Sequence, residues 1–141
     1  VPLRIFDQVG MMDDRLFIDS VDMEWCFRIQ HQGFSLYGIC DARLLHRLGD
    51  RVITIGERKP FNIYQHSPLR QYYMMRNRIL LYRRYYVPMS WRIQDFFRMI
   101  IKICFLACLT SERTNHLRMI TKGLWDGVWM KTGKYRGGVR F

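Results

Sequence analysis

The spacing of apolar and helix-breaking residues changes about halfway along the chain, and this change constrains the fold more than any other feature. After residue 65, long segments with helical periodicity follow one another and are punctuated by proline and serine. Ser67 and Pro68 are typical of the N-cap and first position of a helix. We therefore predict three consecutive helices, near residues 67–86, 89–110 and 111–132.

The first 65 residues predict shorter and more varied elements. A helix is expected near residues 21–32, ended by Gly33, and apolar runs on either side of a turn at 56–60 predict a β-hairpin. Further strands are predicted near residues 15–18, 34–39 and 44–47. The sequence thus predicts two parts, an α/β part over residues 1–65 and an α-helical extension over residues 66–141.

Carboxylates are concentrated just before and within the first predicted helix. On a helical wheel Asp22 falls inside an apolar arc, whereas Glu24 and Arg28 form an ordinary polar-side pair. A carboxylate in an apolar pocket has a raised pKa, which suits a general base. Helix capping is the alternative, with Asp19 as the N-cap and Asp22 in the first turn. The spacing leaves both open.

Arg76 is the second anomaly, because it falls in the middle of the apolar arc of the helix predicted at 67–86. A buried guanidinium needs a partner for its charge. One interpretation pairs Arg76 with a carboxylate of the first part, Asp19 or Glu24. The other brings Arg76, Arg70 and Asn77 to the mouth of an active site, where they would contact a phosphate.

The chain carries a net charge of +11, and 49% of its residues are hydrophobic. Such a charge suits nucleic acid, an anionic membrane or a phosphorylated substrate. No RNA-binding or DNA-binding signature is present, which argues against nucleic acid. The apolar run at 103–109 is too short to span a bilayer, so it predicts either packing or a surface helix. Cys104 and Cys108 within it are expected to be buried free thiols of a reducing cytosol.

Several of these segments together resemble family 2 glycosyltransferases of the inverting GT-A type, and in particular bacterial rhamnosyltransferases of surface polysaccharide synthesis. The shared pattern is a glycine with an acidic turn, a Leu-Phe-hydrophobic-Asp run, a Val-Asp-x-Glu-Trp motif, a later histidine and a Ser-Pro-led helix. In this chain the pattern corresponds to Gly10, Leu16–Asp19, Val21–Trp25, Arg28, Gly33–Phe34, His46, Ser67–Tyr73 and Arg76–Asn77.

The resemblance implies an α/β fold, the C-terminal half of a GT-A domain followed by the helical extension. It implies that Asp22 is the catalytic base, and that His46 lies near the diphosphate and its metal ion, Mg²⁺ or Mn²⁺. It also suggests a group of further residues on the substrate or diphosphate side: Glu24, Trp25, Arg70, Arg76 and Asn77.

The implied reaction is inverting transfer of rhamnose from dTDP-rhamnose to a lipid-linked or saccharide acceptor. The implied location is cytoplasmic and peripheral, on the inner face of the cell membrane, with the anionic lipid surface as a partner. No Asp-x-Asp motif is present. We therefore expect a fragment that is inactive alone, without a complete donor site. The alternative is a non-catalytic basic helical module that binds membrane or nucleic acid.

Overall fold

The structure, a computed structural model, describes residues 2–43, 51–55, 61–109 and 113–137. Within these ranges the chain forms five α-helices, one 3₁₀ turn and one pair of strands. In chain order the elements are α1 (Leu3–Val9), the 3₁₀ turn (Asp14–Leu16), α2 (Val21–His31), β1 (Arg51–Ile55), β2 (Phe61–Gln65), α3 (Pro68–Tyr82), α4 (Met89–Leu109) and α5 (Arg113–Val128).

The predicted α/β architecture is wrong. The described part of the chain is predominantly helical, and the sheet found in it is a two-stranded antiparallel hairpin of β1 and β2. The 3₁₀ turn stands where a strand was predicted at 15–18, and residues 34–39 form no strand. The strand predicted at 44–47 lies outside the described residues.

The strand at 15–18 does not form because its carbonyl groups bond elsewhere. The carbonyl oxygens of Leu16 and Ile18 accept hydrogen bonds from the side chain of Asn77 on α3. A sheet would require those carbonyls to bond a neighbouring strand. Side chains of a helix thus take the place of a strand partner.

The predicted helices and the two predicted hairpin strands are confirmed, with small shifts at the ends. The predicted turn at 56–60 lies outside the described residues. Ser67 caps α3 by accepting a hydrogen bond from the backbone N–H of Arg70. Gly33, at φ +87°, follows the end of α2. Helix α5 ends at Val128, a little before the expected residue 132. The boundary at residue 65 stays a prediction.

Helix α3 is the centre of the packing. Its most extensive neighbour is α5, which also contacts α4. The buried residues of α3 include polar and charged side chains as well as apolar ones: Gln71, Tyr72, Tyr73, Met75, Arg76, Asn77, Leu80 and Leu81. One core cluster joins three of the helices through Met75, Met99, Leu106 and Ile120.

Two glycines of α5 allow it to approach α3 closely. A Cβ atom on Gly123 would lie 2.4 Å from the carbonyl oxygen of Tyr72, and one on Gly127 would lie 2.8 Å from Cβ of Ile79. The helices are therefore in near backbone contact, and any larger residue would push them apart.

Replacing Gly123 with alanine should destabilise the fold by about 2 kcal/mol, because the added methyl group overlaps the backbone of α3. This loss exceeds the gain in helix propensity, which is about 1 kcal/mol. Denaturant unfolding measures the difference. Gly38→Ala is the matched control, since nothing lies within 4 Å of its Cβ position. Equal stability of the two variants would contradict the close packing of α5.

Helix α4 is only partly covered. Its inner side contributes Met99 and Leu106 to the core, whereas Cys104 and Cys108 are exposed free thiols. The prediction that these cysteines are buried is therefore wrong. Across the residues that the structure describes, none of the helices combines the length and apolar character needed to cross a membrane.

Candidate functional site

A backbone segment with unusual geometry leads into the helix that carries Asp22. Phe17, Asp19 and Ser20 all have positive φ angles, of 66°, 61° and 62°. Residues other than glycine adopt this conformation at a cost of about 1–3 kcal/mol each, so the surrounding structure must enforce it. Strain of this kind is concentrated at functional sites, which makes residues 16–22 the candidate site.

Asn77 and Arg76 of α3 hold this segment in place. Nδ2 of Asn77 lies 2.7 Å from the carbonyl oxygen of Ile18 and 2.8 Å from that of Asp19. Nη2 of Arg76 donates to the carbonyl oxygen of Leu16 at 2.7 Å, and its Nε donates to Oδ1 of Asn77 at 3.0 Å. Both side chains are fully buried, so these bonds are shielded from water.

Arg76 also ties the segment to the C-terminal part of the chain. Its Nη1 donates to the carbonyl oxygen of Gly133 at 2.6 Å, and the N–H of Gly133 donates to the carbonyl oxygen of Arg15. The guanidinium lies over the ring of Tyr73, 4.9 Å from its centroid. None of the ion pairs among the described residues includes Arg76. Carbonyl groups and aromatic faces satisfy it instead of the predicted carboxylate.

Asp19 pairs with Arg70 rather than with Arg76. Nε and Nη2 of Arg70 each lie 3.1 Å from one carboxylate oxygen of Asp19, a two-pronged ion pair. This pair fixes the side chain of Asp19 next to the start of α3. Asp19 therefore does not cap α2; Ser20 occupies the N-cap position, without a side-chain cap bond.

Asp22 occupies the second position of α2 and is exposed. The prediction that it leans into an apolar pocket is wrong. Its position places the carboxylate near the positive end of the α2 helix dipole. An exposed carboxylate on a rigidly held helix end is accessible to a substrate hydroxyl.

Glu24 is the buried carboxylate of α2, with 1% of its surface exposed. It accepts from Nε of Arg28 at 3.0 Å and from the hydroxyl of Tyr86. Arg28 in turn donates to the carbonyl oxygens of Val9 and Met11, which turns this side of α2 inward. The predicted surface pair of Glu24 and Arg28 is thus a buried network. Burial and the negative charge of Glu24 raise the pKa of Tyr86.

Trp25 is also buried and belongs to the packing of α2 on α1. Its indole N–H donates to the carbonyl oxygen of Gly10 at 2.9 Å, and its ring stacks on Phe6 with centroids 4.9 Å apart. Val9 and Ile29 complete this small core. His46, predicted near the diphosphate, lies outside the described residues.

Cations follow the side of α3 that begins at Arg70. Arg70, Met74 and Arg78 are four residues apart and share one face of the helix. Nζ of Lys102 on α4 lies 3.5 Å from Sδ of Met74. Burial, together with the positive charge of Arg78, lowers the pKa of Lys102 to about 8. Arg70 is paired with Asp19 and Arg78 with Asp95, and Lys102 adds a further cation to this face.

Asp13, just before the segment 16–22, is fixed by contacts that the sequence did not predict. Arg15 binds it at 2.7 Å and Arg84, from the connection between α3 and α4, at 2.6 Å. Burial raises the pKa of Asp13, but the bonds and charges of the two arginines outweigh it, and the pKa lies below its usual value. The sequence shows a high density of carboxylates, which need cationic partners, but it does not indicate which cations these are.

The described residues contain no cluster of candidate metal-ligating side chains. Among them there is no group of three or more histidine, cysteine, aspartate or glutamate side chains that could hold a metal ion. The Mg²⁺ or Mn²⁺ implied by the resemblance stays a prediction.

Comparison with known proteins gives one further observation. Over 133 residues the chain is 34% identical to dTDP-rhamnosyl transferase RfbF of Shigella flexneri. The chain is similar to a rhamnosyl transferase. The aligned region is 94% of this chain but 44% of the relative, so the chain spans less than half of the relative's length. No family model matches the chain, and no solved structure matches it.

This similarity agrees with the resemblance found in the motifs. It covers nearly all of the described helices and both halves of the candidate site, the segment 16–22 and α3. The GT-A part of the resemblance is not supported, because the predicted α/β fold is absent from the described residues.

Proposed function

We propose that this chain is part of a glycosyltransferase that transfers rhamnose from dTDP-rhamnose to a lipid-linked or saccharide acceptor, with inversion at the anomeric carbon. The observation that carries the proposal is the exposed carboxylate of Asp22. It follows a strained backbone segment that buried side chains of α3 hold in place. The donor is suggested by the printed name of the relative, dTDP-rhamnosyl transferase.

In the proposed reaction Asp22 is the catalytic base. Its carboxylate takes the proton of the acceptor hydroxyl while that oxygen forms a bond to the anomeric carbon. The bond from this carbon to the diphosphate oxygen breaks on the opposite face, and its electron pair leaves with the nucleoside diphosphate. A positioned base of this kind contributes about 10²–10⁴-fold to a rate.

The buried partners of the segment are positioning residues in this proposal. Arg76, Asn77, Glu24 and Trp25 have their hydrogen-bonding groups engaged inside the protein. They hold the segment and α2 in place, and in this way they set the direction in which the carboxylate of Asp22 points. Their expected role on the substrate side therefore becomes an indirect one.

Arg70 keeps a role in binding the diphosphate. Its side chain is 38% exposed, although it pairs with Asp19. Lys102 adds a second cation to the same side of α3, within reach of Met74. Guanidinium groups bind phosphate oxygens with two parallel bonds, so this face is suited to a departing diphosphate.

The location we propose is the inner face of the cytoplasmic membrane, where a lipid-linked acceptor would be held. The net charge of +11 supports contact with an anionic surface. The similarity over 94% of the chain to a transferase favours an enzyme over a non-catalytic basic module. The proposed reaction has no step on a metal ion, since the described residues contain no group of three or more candidate ligands.

The test is sugar transfer by the complete protein that contains this chain. It should convert dTDP-rhamnose and a saccharide acceptor into a rhamnosylated product and dTDP, and NMR of the product should show the inverted anomeric configuration. The matched donors are dTDP-glucose, which changes the sugar alone, and UDP-rhamnose, which changes the nucleotide alone. Retention of configuration would exclude a single displacement with Asp22 as the base. Absence of transfer from every donor would overturn the proposed activity.

A further inference from the structure

The outward side of α4 is a continuous apolar surface, which we call the α4 stripe. Its members are spaced three and four residues apart and lie on one side of the helix. They are exposed to between 42% and 69%: Ile93, Phe96, Phe97, Ile100 and Ile101. Met89 extends the stripe at its start, and the exposed Cys104 and Cys108 extend it at its end. Monomeric proteins rarely expose so much contiguous apolar surface without a binding role.

The orientation of α4 is fixed, so the stripe cannot turn inward. On the opposite side, Asp95 accepts a hydrogen bond from the hydroxyl of Tyr82 at 2.7 Å and pairs with Arg78 at 3.1 Å. Met99 and Leu106 are anchored in the core shared with α3 and α5. The stripe is therefore left without cover by the described part of the chain.

The stripe is bordered by a shallow apolar groove. The groove has a volume of about 400 Å³ and is lined by Tyr82, Arg92, Ile93, Phe96 and Phe97. Its lining combines aromatic rings with an arginine. Amphipathic side chains of this kind are favoured where an apolar layer meets a charged one.

The charges of α4 determine which partner fits. The helix has one acidic residue, Asp95, which is buried against α3, whereas Arg98 is exposed beside the stripe. The partner must therefore offer an apolar layer next to negative charge. An anionic bilayer surface provides both, and a chain with a net charge of +11 is attracted to it. The helix does not meet the requirement for a membrane span.

We infer that the α4 stripe is a membrane-binding surface. Helix α4 lies parallel to the bilayer plane, with Phe97 and Ile101 in the upper acyl-chain layer and Arg98 at the level of the lipid phosphates. The inference rests on the proposed function, because membrane binding would bring the candidate site to a lipid-linked acceptor. Binding gains from apolar burial and from the attraction of anionic headgroups.

Flotation of the complete protein with lipid vesicles tests the inference. The protein should bind vesicles that contain phosphatidylglycerol, bind pure phosphatidylcholine more weakly, and be released as salt rises. The double substitution Phe97→Glu and Ile101→Glu should lower binding by at least about tenfold, because two large side chains no longer enter the apolar layer. Phe97→Asn with Ile101→Asn removes the apolar contact without adding charge and should also weaken binding.

The matched control is Leu3→Glu with Met11→Glu, which adds the same charge at two other exposed apolar residues, 82% and 71% exposed. An equal loss of binding in this control, or unchanged binding in the α4 variants, would overturn the inference. A dimer in sedimentation velocity that the α4 substitutions disperse would also overturn it, in favour of a second copy. Transfer to a water-soluble saccharide separates the two proposals: it should persist in the α4 variants, and its absence from the unsubstituted protein contradicts the proposed function alone.

Discussion

Replacing Asp22 with asparagine in the complete protein should lower the rate of sugar transfer by about 10²–10⁴-fold, because the amide cannot accept the proton of the acceptor hydroxyl. The fold should be unaffected, since Asp22 is exposed on α2 and the substitution keeps its shape. Binding of the donor should also persist. Steady-state kinetics with dTDP-rhamnose, combined with thermal unfolding, measures both effects.

Asp7→Asn is the matched control for this prediction. Asp7 is likewise an exposed carboxylate on a short helix near the start of the chain, but it lies outside the segment 16–22. The control should transfer sugar at the unsubstituted rate. Transfer at a near-normal rate by Asp22→Asn, with unchanged stability, would remove Asp22 from the mechanism.

Replacing Arg76 with methionine should lower the free energy of unfolding by about 3–5 kcal/mol. The substitution keeps most of the side-chain volume but leaves the carbonyl oxygen of Gly133 and Oδ1 of Asn77 without their buried donor. Each buried polar group that loses its partner costs about 1–3 kcal/mol, and two such groups lose their donor here. Chemical denaturation measures this loss.

Arg118→Met makes the same chemical change at an exposed arginine of α5 and should alter stability by less than about 0.5 kcal/mol. If Arg76 positions the segment before Asp22, transfer should fall at temperatures where the variant is still folded. A variant as stable as the control would show that the clamp of α3 on residues 16–19 is energetically unimportant.

The helical half of the fold was predictable because its signals are local. Ser67 and Pro68 define the start of α3 through the cap bond and the fixed φ of proline. Alternating apolar residues on both sides of a turn defined the hairpin of β1 and β2. Each of these signals acts within a few residues, so neighbouring structure did not overrule them.

The segment 15–18 was not predictable for the opposite reason. Its apolar side chains suggested a strand, but Asn77, about sixty positions later in the chain, takes up the carbonyl groups of Leu16 and Ile18. The pairing depends on tertiary structure, which no local pattern encodes.

The candidate site was predictable as a set of residues but not as an arrangement. The motif singled out Asp22, yet the wheel placed it inside and Glu24 outside. The contact of Arg28 with Val9 and the bond of Tyr86 to Glu24 reverse this orientation. Which side of a helix with weak amphipathic character turns inward is set by its partners. The catalytic role of Asp22 stays a prediction.

The bond between Gly133 and Arg15 has a practical consequence for anyone who edits this protein. Through it and Arg76, residues that lie more than a hundred positions after Asp22 help to set the geometry of the proposed base. The backbone N–H of Tyr135 also donates to the hydroxyl of Tyr73, so residues 133–135 are part of the folded structure around the site. A deletion, an affinity tag or a fused fluorescent protein joined at this point would be detected first as a defect in turnover.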